Sequence, residues 1–193
     1  MDARARRSRT KLSAAVLDLA ERDGIEAVSM VSIAEAAGVN RSTVYEHAAS
    51  PLELLRLVLR TELDTIRDRH LTAGAHPDIR TAVRQTTDDV LHHVDSHAAI
   101  YSRELGSAES TALHGMLSAH FRESVLRLFQ SGAIVPPRID GIDANLQDET
   151  TARFIADGTV GAIDAWLATP PPRDVQTFRH LYASVLPAWW PLS

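Results

Sequence analysis

The sequence contains no cysteine, which excludes disulfide bridges and zinc sites built on thiolates. No apolar stretch approaches the roughly 18 residues that a membrane-spanning helix needs. The charged N-terminus is followed by a segment that acidic residues interrupt, unlike the apolar core of a signal peptide. Aromatic residues make up only 5% of the chain, and no segment shows the sustained apolar–polar alternation of a strand. These absences predict a cytoplasmic, all-α protein that does not enter a membrane.

Alanine, leucine, arginine and glutamate are abundant instead, and all four favour helices. Apolar periodicity and capping signals predict about nine helices. They are expected at about 8–23, 31–37, 41–47, 51–71, 78–95, 96–105, 109–131, 147–168 and 174–189. Three short helices in the first 50 residues, followed by longer ones, predict a small N-terminal domain joined to a helical bundle. Residues 1–50 and 51–193 are therefore treated as two domains.

Charge is distributed unevenly along the chain. The first eleven residues carry five basic side chains and one acidic one, whereas the whole chain has a net charge of −5. A basic N-terminal arm on an acidic protein is typical of contact with nucleic acid at one end. The alternative is a solvated tail that improves solubility, and charge alone does not separate the two.

The segment from Gly38 to His47 predicts a helix-turn-helix. Gly38 permits the left-handed backbone of a tight turn between two short helices, and Asn40 is a candidate N-cap for the second helix. Val39 and Val44 are apolar and are expected to face inward, while the polar side chains of the second helix face outward. In proteins with this arrangement, the second helix can lie in the major groove of DNA.

The segment SIAEAAGVNRSTVYEHAAS resembles the DNA-binding hairpin of TetR-family transcriptional repressors. The residues that carry the resemblance are Ile33, Ala34, Ala37, Gly38, Val39, Thr43, Val44, Tyr45 and His47. The resemblance implies an N-terminal three-helix DNA-binding domain, residues 1–50, and a C-terminal effector-binding and dimerisation domain, residues 51–193. The chain departs from the family pattern at Ala48, where an aromatic residue is usual, and at Pro51, where a lysine is usual.

The same resemblance assigns roles to the residues of the second short helix. Thr43, Tyr45 and His47 are expected to contact phosphates. Arg41 and Ser42 are expected to reach base edges, with Glu46 as a further contact, and Arg6, Arg7 and Arg9 of the arm supply positive charge. An arginine at a base edge most often reads guanine. The alternatives are a phosphate contact for Arg41, core packing for Tyr45 and a solvated side chain for Glu46.

The last two long helices are expected to build a homodimer interface. Helix eight carries apolar or small residues on nearly every side, so it is predicted to be buried on several sides. The interface candidates are Phe154, Gly158, Gly161, Ala165, Phe178, Tyr182 and Val185. The alternative is the core of a monomer.

An effector pocket is expected among helices four to eight. The candidates combine apolar bulk with scattered polar groups, and each of them could equally be an ordinary core residue. They are Leu59, Glu62, His97, Tyr101, Met116, His120, Phe121 and Trp166. Asp89, His93 and His97 have the spacing of metal ligands, but Ser96 interrupts the helix, so no metal site is assigned.

These features predict a ligand-responsive DNA-binding transcriptional repressor. The protein is expected to bind a palindromic double-stranded operator as a homodimer, to be released by a small-molecule effector, and to need no cofactor. An enzyme is not expected, because no triad, phosphate loop or paired Glu-x-x-His motif occurs. The alternative is a helical adaptor of this fold that has lost specific DNA binding.

Overall fold

The computed structural model describes residues 3–72, 78–106 and 112–192. In these ranges the chain forms helices and no strand, which confirms the all-α prediction. The helices are α1 (Ala3–Asp23), α2 (Met30–Ala37), α3 (Arg41–Tyr45), α4 (Pro51–Leu71), α5 (Ile79–Ser96), α6 (Ala98–Leu105), α7 (Ala112–Gln130), α8 (Ala144–Leu167) and α9 (Val175–Val185). A single 3₁₀ turn, Ile25–Ala27, links α1 to the segment before α2.

Most helix ends fall close to the expected positions, and the exceptions have local causes. α1 begins at Ala3, so the basic arm is helical, in keeping with the helix propensity of alanine and arginine. α8 begins three residues early because the Asp143 side chain accepts a hydrogen bond from the Leu146 amide at 2.9 Å. α9 ends at Val185 because Leu186 is extended before Pro187. The expected start of helix seven at Glu109 lies outside the described residues.

The chain divides into two compact units, residues 1–61 and residues 62–193. The division lies inside α4, which continues from one unit into the other. The functional division at residues 50 and 51 stays a prediction.

The first unit encloses a small core of its own. α1 packs on α2, and α2 packs on α3. The core consists of side chains with low exposure from every helix, among them Leu12, Val16, Leu19, Ile33 and Val44. At the start of α4, the Glu53 amide donates to Ser50 Oγ at 3.2 Å, and the Glu53 carboxylate accepts from the Ala49 amide at 2.8 Å. Ser50 therefore acts as the predicted N-cap.

The second unit is a bundle in which α7 packs along α8 and α6 contacts both. α9 is attached to α5 by an ion pair in which Arg179 Nη1 lies 2.6 Å from Asp88 Oδ1. Arg173, just before α9, pairs with Asp95 at 2.9 Å and also donates to the Leu167 carbonyl at 2.9 Å. These contacts place α9 against the bundle. In the ranges that the structure describes, no helix is both long enough and apolar enough to cross a membrane.

Candidate DNA-binding and ligand-binding sites

The turn between α2 and α3 is fixed by backbone hydrogen bonds. Gly38 has φ 61° and ψ 43°, its amide donates to the Glu35 carbonyl at 3.1 Å, and the Val39 amide donates to the Ala34 carbonyl at 3.0 Å. This pair of bonds is the Schellman arrangement, which ends a helix with a left-handed residue. A Cβ at Gly38 would meet no atom within 4 Å, so glycine is favoured there by its backbone angle and not by lack of space.

The start of α2 is equally well defined. The Ser29 side chain accepts from the Ser32 amide at 3.0 Å, and Ser32 Oγ accepts from the Ser29 amide at 3.0 Å. At the start of α3, Asn40 occupies the predicted N-cap position, although its side chain makes no capping hydrogen bond. The Thr43 amide bonds to the Asn40 carbonyl at 2.9 Å. The geometry of α3 therefore rests on the turn before it.

α3 buries Val44 and exposes its polar side chains. Arg41, Ser42 and Glu46 are exposed, while Thr43 and His47 are half-buried. The side chain of Tyr45 is 48% exposed, which excludes the alternative that its ring packs in the core. Arg41 Nη2 donates to the Tyr45 hydroxyl at 3.3 Å, and the guanidinium carbon lies 5.6 Å from the ring centroid. This helix therefore presents a continuous polar surface with its arginine held against its tyrosine.

The basic residues of the arm extend along the first turns of α1. Arg6, Arg7 and Arg9 are exposed, so their guanidinium groups are available to an anionic partner. Residues 1–50 contain seven basic and seven acidic side chains. The positive charge of this region therefore depends on the arm and on Arg41.

The second unit encloses an apolar cavity of about 100 Å³. Its wall comes from α4, α5, α7, α8, α9 and the segment after α9. The lining residues are Leu71, Val83, Thr86, Thr87, Val90, Leu91, Phe121, Ser124, Val125, Leu128, Ile155, Thr159, Ile163, Phe178, Tyr182 and Trp190. The polar side-chain groups of this wall are hydroxyls and the indole N–H of Trp190, and no lining residue carries a charge at neutral pH.

Two contacts on one side of the cavity join α9 to α8. The Tyr182 hydroxyl lies 2.6 Å from Thr159 Oγ1, which itself donates to the Ile155 carbonyl at 2.6 Å. Burial raises the pKa of Tyr182 to about 12, so the phenol stays protonated and donates to Thr159. Phe178 stacks on Trp166 with ring centroids 5.0 Å apart.

A polar cleft of about 270 Å³ adjoins the cavity. The two share Leu71, Ser124 and Leu128 as lining residues. Arg67 and Arg127 lie in the cleft, and both pair with acidic side chains, Arg67 with Asp64 and Arg127 with Glu123. The apolar interior is therefore continuous with a polar surface.

Of the eight effector-pocket candidates, Phe121 lines this cavity. Leu59 and Met116 are buried elsewhere, and Trp166 lies behind Phe178. His120 is 2% exposed, and its Nδ1 lies 3.1 Å from Asp64 Oδ1. Sequence patterns missed most of the wall because its members come from five helices that are distant in sequence.

The remaining three candidates, Glu62, His97 and Tyr101, surround His93. Glu62 Oε2 lies 3.5 Å from His93 Nδ1 and 3.5 Å from His97 Nε2, and His93 Nε2 lies 3.0 Å from the Tyr101 hydroxyl. Burial lowers the pKa of His93 to about 4, so this imidazole is neutral at pH 7. A hydrogen bond from His97 lowers the pKa of Glu62.

Asp89, which shares helical spacing with these histidines, lies apart from them. Its Oδ2 is 2.8 Å from His70 Nε2 and 3.0 Å from Arg69 Nη1. The cluster therefore takes its carboxylate from α4 and not from α5.

The dimer candidates fall into two groups. Phe154 is 72% exposed, Val185 is 67% exposed, and Gly158, Gly161 and Ala165 are also exposed. Phe178 and Tyr182 are buried within their own chain. Leu181 on α9 is 61% exposed and therefore resembles the first group.

The fold and the turn geometry define the class: the chain is an all-helical protein with an N-terminal helix-turn-helix. Residues 12–58 match the family model of bacterial regulatory proteins, tetR family. The N-terminal domain therefore belongs to the tetR family, as the resemblance implied. Among proteins with curated descriptions, none matches the chain in sequence.

Several solved structures share the fold over nearly the whole chain. FadR from Thermus thermophilus, a repressor solved in complex with lauroyl-CoA, is 18% identical, with 93% of this chain and 95% of that chain covered and a TM-score of 0.59. RolR in complex with resorcinol is 14% identical, with 94% and 86% covered and a TM-score of 0.57. DhaS, the dihydroxyacetone kinase operon activator, is 12% identical, with 92% and 94% covered and a TM-score of 0.63.

The matched family consists of regulatory proteins, and these structural neighbours are transcription regulators. The N-terminal domain is accordingly that of a bacterial regulatory protein, and the whole chain shares the fold of these transcription regulators.

Proposed function

We propose that the chain is a dimeric DNA-binding repressor that a small, mostly apolar molecule releases from its operator. The observation that carries this proposal is the exposed polar face of α3 on a turn fixed by backbone hydrogen bonds. A short helix held in this way is already ordered before DNA binds, so its entry into a major groove costs little conformational entropy.

Arg41 is the proposed base-reading residue. Its guanidinium is exposed at the first turn of α3, and the hydrogen bond to the Tyr45 hydroxyl restrains it before DNA binds. A restrained guanidinium loses less entropy when it forms two hydrogen bonds to a guanine. Ser42 and Glu46 extend the base-reading face, and Thr43, Tyr45 and His47 bind the flanking phosphates. Arg6, Arg7 and Arg9 add phosphate contacts from the arm.

The DNA-binding proposal is tested by selection from a pool of random duplexes followed by mobility-shift titration. The expected result is a two-fold symmetric site, with binding weakened about 100-fold or more by Arg41→Ala, which removes one base contact from each half-site. Arg153→Ala on α8 is the matched control, because Arg153 is exposed and pairs with Glu149 one turn away on the same helix. Equal affinity of the wild type and Arg41→Ala for the selected site would contradict the assignment of α3.

The exposed stripe on α8 supports a homodimer. Phe154, Gly158, Gly161 and Ala165 follow helical spacing, and all four are exposed in the single chain. An apolar stripe with glycines at its centre allows a second helix to approach closely. A two-fold dimer would present two copies of α3 to successive major grooves, about 34–36 Å apart or a multiple of that distance.

The cavity supports an effector with an uncharged apolar body and one polar end. The inner wall offers hydroxyl groups and no charge, whereas the adjoining cleft contains arginine and aspartate side chains. The ligands of FadR and RolR, a lauroyl thioester and resorcinol, show that this fold accepts small molecules of different shape. Effector binding would release DNA by favouring a state with a different spacing of recognition helices.

Thr87→Leu tests the effector proposal. Thr87 is half-buried at the cavity wall, and its hydroxyl donates only to the Val83 carbonyl of its own helix, at 2.9 Å. Leucine fills part of the cavity, so the thermal shift given by medium-chain alcohols and by simple phenols should fall while operator binding persists. Thr61→Leu is the control, because Thr61 makes the same bond to Leu57 but lies outside the wall. An unchanged ligand response in Thr87→Leu would contradict this location.

A helical adaptor without DNA binding is the second candidate, favoured by Ala48 and Pro51. Position 48, where the family pattern usually has an aromatic residue, is occupied by a buried alanine that is 5% exposed. This candidate predicts that the duplex selection yields no enriched sequence.

A further inference from the structure

Three potential metal ligands meet in the second unit, away from the cavity. Glu62 extends from α4, His93 from α5, and His97 from the residue that follows α5. One donor atom from each lies within 4.8 Å of the other two. None of the three lines the apolar cavity.

The spacing of the two histidines survives the end of α5. The helix ends at Ser96, yet the His97 amide still donates to the His93 carbonyl at 3.2 Å. The two imidazole rings therefore remain one helical turn apart, with ring centroids separated by 5.0 Å. Although α5 ends at Ser96, the two histidines keep the one-turn spacing that a pair of metal ligands requires.

The distances in this cluster are close to those between the ligands of one metal ion. One ring nitrogen of each histidine lies 3.5 Å from Glu62 Oε2. Neighbouring ligand atoms in a tetrahedral site with bonds of about 2.0–2.1 Å are separated by about 3.4 Å. The third separation, between the two ring nitrogens, is within 4.8 Å, and a side-chain rotation of His97 can shorten it toward this value.

A contact with Tyr101 orients the His93 ring. Its Nε2 lies 3.0 Å from the hydroxyl of Tyr101, which is fully buried. When Nε2–H donates to that oxygen, Nδ1 carries the lone pair that faces Glu62 Oε2. Histidines that bind metals usually donate their other ring N–H to an oxygen in this way.

The cluster is also accessible from one side. The side chains of His93 and His97 are 8% and 17% exposed, whereas that of Glu62 is 39% exposed. An ion can therefore enter past the carboxylate and reach two imidazoles in a mostly dehydrated environment.

We propose that Glu62, His93 and His97 bind one divalent transition-metal ion, with Zn²⁺ as the representative, and leave a fourth position for water. Two imidazoles and one carboxylate favour zinc, cobalt, nickel and copper over magnesium and calcium, which prefer oxygen ligands. The competing arrangement is a metal-free cluster in which both histidines hydrogen-bond to Glu62.

The test uses the full chain without an affinity tag, after treatment with a chelator. Calorimetric titration with Zn²⁺ should give one ion per chain, and Co²⁺ should give the visible absorption of a tetrahedral complex. Glu62→Gln and His97→Gln should each weaken zinc binding by more than about 100-fold, and Tyr101→Phe by about 10- to 100-fold. His92→Gln, which removes the exposed neighbour of His93, should leave the affinity unchanged.

Circular dichroism checks that each variant folds, and a second measurement avoids variants altogether. On addition of zinc to the ¹⁵N-labelled wild type, the ring nitrogens of His93 and His97 should shift while those of His92 and His114 stay in place. The proposal is overturned if the wild type binds no more zinc than Glu62→Gln does, or if the shifts appear on the exposed histidines instead.

Discussion

The hydroxyl of Tyr182 lies 2.6 Å from Thr159 Oγ1, and this single bond ties α9 to α8 at the wall of the apolar cavity. Tyr182 is buried, and its partner already donates to the Ile155 carbonyl, so the tyrosine is the donor. Without this hydroxyl, Thr159 keeps its hydrogen bond to the Ile155 carbonyl and loses its hydrogen bond to α9.

Tyr182→Phe should therefore lower the free energy of unfolding of the second unit by about 1 kcal/mol. Thr159→Val removes the same bond, so the double variant should lose about 1 kcal/mol less than the sum of the two single variants. Urea unfolding of the four proteins measures this coupling. Strict additivity would show that the bond contributes nothing to stability.

Gly38→Ala should destabilise the first unit by about 1–2 kcal/mol, because alanine is strained at a φ of 61°. Gly38→Asn should lose less, since asparagine tolerates this backbone region. Gly115→Ala on α7 is the matched control: a Cβ there also meets nothing within 4 Å, but the residue is helical. That control should gain up to about 1 kcal/mol from helix propensity. Thermal unfolding followed by circular dichroism distinguishes the opposite signs.

Val185→Asp should convert the dimer to a monomer at micromolar concentration, since it places a charge in the proposed interface on α9. Sedimentation velocity measures the change. Val135→Asp supplies the control, because Val135 is 76% exposed on a loop and Val185 is 67% exposed on a helix. If both variants sediment like the wild type, the interface lies elsewhere.

Replacement of Arg6, Arg7 and Arg9 by glutamine should reduce the salt dependence of operator binding. Each lost phosphate contact lowers the magnitude of the slope of log K against log[salt] by about 0.9, so three lost contacts in each of two subunits lower it by about 5.4. Arg41→Ala should alter the preference for the operator sequence more than the salt dependence of binding, because it removes a base contact. An unchanged slope in the triple variant would show that the arm does not touch the backbone of DNA.

Features that depend on neighbouring residues could be predicted from the sequence. The bounds of α4 at Pro51 and Leu71 were expected, because Ser50 and Glu53 cap that helix locally. The turn at Gly38 follows from the backbone freedom of one residue. The family model over residues 12–58 covers this same region.

The cavity wall and the histidine cluster could be recognised only in the folded chain. Thr87 and Tyr182 line one cavity although they are far apart in sequence, and only helix packing brings them together. Spacing within α5 favoured Asp89 as the partner of His93 and His97. The carboxylate that lies beside them comes from Glu62 on another helix, which no periodicity within α5 could indicate.

The three tryptophans of the chain are Trp166, Trp189 and Trp190, and all of them belong to the second unit. Trp190 lines the cavity, and Trp166 stacks on Phe178, which also lines it. Intrinsic tryptophan fluorescence therefore reports on the second unit alone, with no emission from the helix-turn-helix. A single unlabelled sample can thus reveal whether a bound molecule alters the cavity, while far-ultraviolet dichroism follows both units at once.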